Sequence, residues 1–197
     1  MNFIEILNIK KMKTLILKTI VLFGGFTALV LAVQSCKKTT DPPKPTNEEE
    51  LITTLKVELK DTASGQLLIY YFRDLDGEGG KPPSQLDTIK LSPNRTYATA
   101  IKFLNESDTS NVEDITNEIN NESKDHFICF SAAGANLVVT RTDSDGTFEV
   151  GLTSRWKTGN VSKGHITITL KHQPGVKNGQ CDPGATDAEV IFPLDLK

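Results

Sequence analysis

The chain has 197 residues, with 22 Lys and Arg against 25 Asp and Glu and a formal charge of −3. That balance argues against electrostatic capture of nucleic acid or of an anionic lipid surface. The length leaves room for one domain of ordinary size once a leader is set aside.

Lys10, Lys11 and Lys13 precede an apolar run from Leu15 to Val33, and Gln34, Ser35 and Cys36 follow. Positive, then apolar, then a small residue before a cysteine is the layout of a secretory signal ending in a lipidated cysteine. Residues 1–35 are therefore read as a signal peptide, and Met12-Lys13 makes its more usual start. Cys36 is the lipidation site and becomes the first mature residue. The bland alternative is a permanent membrane-spanning helix, which needs ~20 apolar residues. Stable anchoring through Cys36 takes more than one acyl chain, since each buried methylene contributes only ~0.8 kcal/mol. Losing Lys10, Lys11, Lys13, Lys18 and Glu5 with the leader takes 22 basic and 25 acidic residues to 18 and 24, a formal charge of −6.

Residues 36–50 read as a lipidated, disordered linker. Pro42, Pro43, Pro45 and the Glu48–Glu50 run give it nothing apolar to bury. At ~3.3–3.6 Å per residue it reaches about 45–50 Å from a membrane surface.

Residues 51–197 form short alternating segments. Leu55, Val57 and Leu59 mark a half-buried strand. Gln66 to Arg73 is denser and predicts a central strand. Ile89 with Leu91, then Tyr97, Ile101 and Phe103, mark two more. Val112, Ile115 and Ile119 recur at helical spacing, and Ser110 with Glu113 fits a capping box, which predicts a helix over 110–121. Phe127–Phe130 and Leu137–Val139 follow. Asp143-Ser144-Asp145-Gly146 signals a hairpin turn into Phe148, Val150 and Leu152. Ile166, Ile168 and Leu170 alternate cleanly, and Val190, Phe192, Leu194 and Leu196 form the last strand. Pro193 points there to an edge or outward position. The whole predicts an all-β fold, an antiparallel, immunoglobulin-like β-sandwich with one short helix; a barrel is the alternative. No repeating βαβ unit is visible.

If consecutive strands reverse direction, the connections at 74–84, 106–124, 143–146 and 173–187 share one end. That acidic, glycine-rich end is the first place to seek a metal or partner. Asp74, Asp76 and Glu78 occupy the first, third and fifth positions of a calcium-type loop, with Gly79 at the sixth. The twelfth position is Gln85 rather than glutamate, so the segment is either a weak calcium site, on the order of 10⁻⁴–10⁻³ M, or a plain tight turn. Cys129 and Cys181 either form a bridge closing about 53 residues, stabilising by ~4 kcal/mol, or are a buried thiol and an unrelated loop cysteine. His165 and His172 project on opposite faces of one strand and cannot share an ion. Trp156, between Arg155 and Lys157, is either a sugar-stacking side chain or a half-buried rim residue. No hydrolase elbow or phosphate loop is present.

The pieces Ser35-Cys36-Lys37-Lys38, Asn47 to Thr54, Asp74 to Gly80, Leu104-Asn105-Glu106, Val150-Gly151-Leu152 and Leu170 to Pro174 together resemble small outer-membrane lipoproteins of Bacteroidota-type bacteria, of uncharacterised role. The resemblance implies a lipid-anchored envelope protein, on the periplasmic face or the cell surface. Members are often labelled type 1 periplasmic binding fold superfamily proteins, which implies an α/β fold; the alternation here implies β instead. Asp61-Thr62-Ala63 and Asp87-Thr88-Ile89 look like the O-glycosylation acceptor pattern of such bacteria. The expected function is a non-enzymatic binding or structural module whose partner is an envelope protein, a glycan or calcium. The alternative is a carbohydrate-active hydrolase, which needs two carboxylates about 5–5.5 Å or 6.5–9.5 Å apart.

Overall fold

The computed structural model describes residues 51–77 and 79–197. The signal segment, Cys36, the linker and Glu78 lie outside the described residues. Eleven strands and one helix follow in chain order: β1 (Thr54–Asp61), β2 (Leu67–Arg73), β3 (Gln85–Leu86), β4 (Ile89–Leu91), β5 (Thr96–Asn105), β6 (Glu113–Asp114), α1 (Thr116–Asn121), β7 (His126–Ala133), β8 (Leu137–Arg141), β9 (Thr153–Thr158), β10 (Ser162–His172) and β11 (Ala185–Leu196).

They make two sheets. One runs β3-β2-β1-β5-β9-β8, with β6 added on β5, and is antiparallel throughout. The other runs β4-β11-β10-β7, and its single parallel pair is β4 with β11. The architecture is an all-β sandwich, and the α/β label attached to the lookalike lipoproteins does not describe it. The core is the inward set of both sheets: Leu55, Val57 and Leu59 from β1, Ile101 and Phe103 from β5, Ile166, Ile168 and Leu170 from β10, and Val190, Phe192 and Leu194 from β11. Each set is every second residue, because successive side chains of a strand point to opposite faces. Pro193 falls on the outward face of β11, just before the stretch that β4 covers.

Four expectations differ from the structure. The dense run of β2 is not central. Only two-residue β3 lies beyond it, and Leu67 stays 54% exposed. The predicted helix shrinks to six residues, because Glu113 and Asp114 pair with β5 as a strand and leave Val112 exposed. The capping box does not form: the Ser110 hydroxyl donates to Asp108 Oδ1, while Asp114 Oδ1 accepts the Thr116 amide at 3.1 Å. The segment after Asp143 closes a turn with a Ser144–Glu149 bridge, but the ladder strand begins only at Thr153.

Candidate functional site

The four acidic connections do meet at one end of the sandwich, the end where Leu51 leads into β1. Arg73 Nε reaches Glu106 Oε2 at 2.7 Å, which ties the end of β2, where the first connection starts, to the second. Lys177 Nζ donates to Ser123 O and to Asp145 Oδ2, both at 2.7 Å, which ties the fourth to the second and third.

Most carboxylates there act as internal partners. Glu106 accepts from the Thr54 hydroxyl at 2.6 Å as well as from Arg73, and these contacts outweigh burial to hold its pKa below the ordinary value. Asp143 accepts the amides of Gly151 and Thr153. Asp145 accepts those of Thr147 and Phe148. Burial alone pushes the Asp145 carboxyl up, but the Lys177 ammonium and these amides offset it and hold the pKa at about 2.

In the candidate calcium loop, Asp76 Oδ2 accepts the Lys81 amide at 2.9 Å, which keeps its carboxyl low. A Cβ at Gly80 would meet that oxygen, so a larger residue there makes the Asp76 side chain shift away from the Lys81 amide. Asp74 is pushed the other way, by burial and by neighbouring Asp76, and its Oδ1 is buried without a hydrogen bond. Among the described residues no group of three or more His, Cys, Asp or Glu is arranged to hold a metal ion. The loop geometry accounts for Asp76 as a turn-closing acceptor.

Beside this loop a cleft of about 500 Å³ opens between the end of β2 and the start of β11, with Asp74, Asp187 and Glu189 on its walls. Glu189 turns its Oε2 to the Thr169 hydroxyl at 2.9 Å, on the outward face of the second sheet. Asp187 Oδ2 lies 3.9 Å from His126 Nε2. His126 is itself buried and stacks on His172 with ring centroids 4.9 Å apart and planes 10° apart. Burial lowers its pKa, the Glu122 carbonyl 3.1 Å from Nδ1 opposes that, and His172 adds to the lowering. His165 lies on the opposite face of β10 from His172, as the spacing requires.

Cys129 and Cys181 are joined by a disulfide with Cα atoms 5.9 Å apart. The bridge pins the 173–184 connection over the outer face of β7, where Phe127 and Cys129 project. Fully buried Gln173 closes the same connection by donating Nε2 to the carbonyls of Gln180 and Pro183. The Phe127 ring lies under this connection, with the Arg141 guanidinium 4.2 Å and Lys177 Nζ 5.8 Å from its centroid.

Trp156 is neither a sugar platform nor a rim residue. It is fully buried, its Nε1 donates to Ser154 Oγ at 2.9 Å, and Phe130 meets it edge-on at 6.2 Å. Thr62 and Thr88, from the two glycosylation-like triplets, are both exposed. Lys177 and Arg141 belong to no motif in the sequence, and Gln173 falls only within the resembling piece Leu170 to Pro174. The one signal for them was the unbroken apolar run Phe127–Phe130, which needs cover on both faces of its strand. Among the described residues no helix is long and apolar enough to cross a membrane. The chain matches no protein-family model, no curated protein and no solved structure.

Proposed function

We propose that the chain is an envelope lipoprotein, tethered through Cys36, whose sandwich domain acts as a non-enzymatic binding or structural module. The observation that carries this reading is the order Lys10–Lys13, Leu15–Val33, Ser35-Cys36 at the N-terminus. The resemblance to small outer-membrane lipoproteins supports it. So does the proline-rich stretch that separates Cys36 from the domain. The non-enzymatic half draws support from the acidic end, where Glu106, Asp143 and Asp145 are committed to cations and backbone amides. Glu189, on the wall of the larger cleft, is engaged by Thr169.

The test is fractionation of cells expressing the natural chain and Cys36→Ser. The natural chain is expected in the membrane pellet with an acyl mass on Cys36, and the variant in the soluble fraction. A variant that stays in the pellet would favour the spanning helix instead. Release of reducing ends from envelope polysaccharide by the purified chain would favour the hydrolase.

A further inference from the structure

At the end of the sandwich away from Leu51, a second cleft of about 350 Å³ lies where β1 ends, β4 ends and β5 begins. That volume is at the small end of the range for ligand pockets. Three cations, Lys90, Arg95 and Lys197, line it, with Asp61 against Arg95 and Asp195 beside Lys197. In a chain of net negative charge this is a local reversal, and it sits at the opposite end from the acidic connections. We propose that this cleft binds an acidic saccharide, its carboxylate held by the cations and its hydroxyls by the polar wall.

The site is built rather than a chance gathering of surface lysines. Asp61 is buried, accepts the amides of Ala63 and Ser64 at 2.8 and 3.0 Å, and takes Arg95 Nε at 2.9 Å. These contacts, the Ser64 amide first, hold its carboxyl low, so it stays charged and fixes Arg95 in place. The Arg95 side chain, which lines the cleft, is still 39% exposed. Tyr70 fixes Lys90 by bonding its backbone twice: the phenol donates to Lys90 O at 2.7 Å and accepts from Lys90 N at 3.1 Å. Buried Tyr97 accepts the Ser92 amide at 3.0 Å and so sets the third wall. Lys90 makes no ion pair among the described residues, and Lys197 has only Asp195 at 3.8 Å, which it shares with Lys163. The Lys90 ammonium is therefore available to an incoming anion, and the Lys197 ammonium is shared with Asp195.

The saccharide assignment comes from what surrounds the charge. Ser64, Gln66 and Ser92 line the same cleft and offer hydroxyl and amide groups, while half-buried Leu68 adds an apolar patch for a ring's C–H face. A site for bare phosphate would need neither. The proposed function supplies only the setting, an envelope in which such saccharides occur. The binding itself does not rest on it.

The experiment is calorimetric titration of the full chain in detergent with a galacturonic acid disaccharide, a neutral galactose disaccharide and inorganic phosphate. The acidic disaccharide is expected to bind with an affinity that falls with added salt. The double variant Lys90→Glu with Lys197→Glu is expected to weaken it about tenfold or more, as for two lost charge-assisted contacts. Both positions are exposed, so the variant's thermal unfolding should match that of the natural chain. The neutral disaccharide should give no heat. Unchanged affinity in the double variant, no heat from the acidic disaccharide, or phosphate binding as tightly as the disaccharide would each overturn the assignment. None of these results depends on whether Cys36 is acylated.

Discussion

Lys177 Nζ and Asp145 Oδ2 lie 2.7 Å apart with both side chains 3% exposed, joining two loops 32 residues apart in the chain. Neither charge has water to fall back on, so the two depend on each other. Replacing Lys177 by Met leaves the Asp145 carboxylate buried with only the Thr147 and Phe148 amides. The expected loss is about 3 kcal/mol, at the low end for breaking a buried pair because those amides remain. Urea unfolding of Lys177→Met measures it. A loss below a few tenths of a kcal/mol would mean the pair is solvated in solution.

The same pair sets an acid limb of stability. The Asp145 carboxyl titrates at about 2 in the folded chain against an ordinary value of 3.8. The unfolded state therefore binds a proton first as pH falls. The pair's contribution is full above about pH 4 and is lost as pH drops from about 4 toward 2. Melting temperature against pH should show this loss in the natural chain. In Lys177→Met the same interval should be flatter.

The Cys129–Cys181 bridge joins cysteines 52 positions apart in the chain. In the chain-entropy account that restriction of the unfolded state stabilises by ~4 kcal/mol. Reduction, or Cys129→Ser with Cys181→Ser, should lower the urea midpoint accordingly. It should also speed hydrogen exchange at Phe127 to Cys129, because the connection held over them is no longer pinned. Equal exchange in both forms would show that Gln173 and Lys177 hold the connection without the bridge.

The fold is readable in the sequence wherever one sheet face is buried and the other wet. Leu55-Val57-Leu59 and Ile166-Ile168-Leu170 alternate because water touches only every second residue. The β9 strand was not readable in that way: its inward residues are Ser154, Trp156 and Thr158, so two of three carry hydroxyls and the period-2 signal disappears. That is why Trp156 looks like a surface residue beside two cations when it is a core residue. The helical spacing of Val112, Ile115 and Ile119 misleads for the opposite reason, since Val112 shares the period but not the burial. At the acidic end the crowding of loops follows from strand reversal alone. Which carboxylates are spoken for does not, because Lys177 and Arg73 arrive from other parts of the chain.

The histidine stack predicts a second pH effect, at milder acidity. His126 faces the His172 ring at 4.9 Å, Asp187 Oδ2 at 3.9 Å and the Glu122 carbonyl at 3.1 Å. Its folded pKa lies below the ordinary 6.5, chiefly through burial. The folded form is therefore the neutral one, and stability is full above pH 6.5 and falls below it as the unfolded chain takes up a proton. Melting temperature should decline between pH 7 and 5 in the natural chain. His126→Gln should flatten that decline while lowering the curve as a whole. A decline of equal slope in the variant would place the titrating group elsewhere.

Trp156 and Ser154 form a hydrogen-bonded pair inside the core, two residues apart on the same face of β9. Trp156→Ala removes the largest fully buried side chain and should cost roughly 3–5 kcal/mol through lost burial and the cavity left behind. Ser154→Ala is the sharper test. It removes little volume but leaves the indole N–H buried without an acceptor, which costs about 1–3 kcal/mol. Combining Ser154→Ala with Trp156→Phe removes donor and acceptor together, so the double variant should lose less than the sum of the two single changes. Simple additivity would mean that water, not Ser154, satisfies the indole. Trp156 would then border solvent after all.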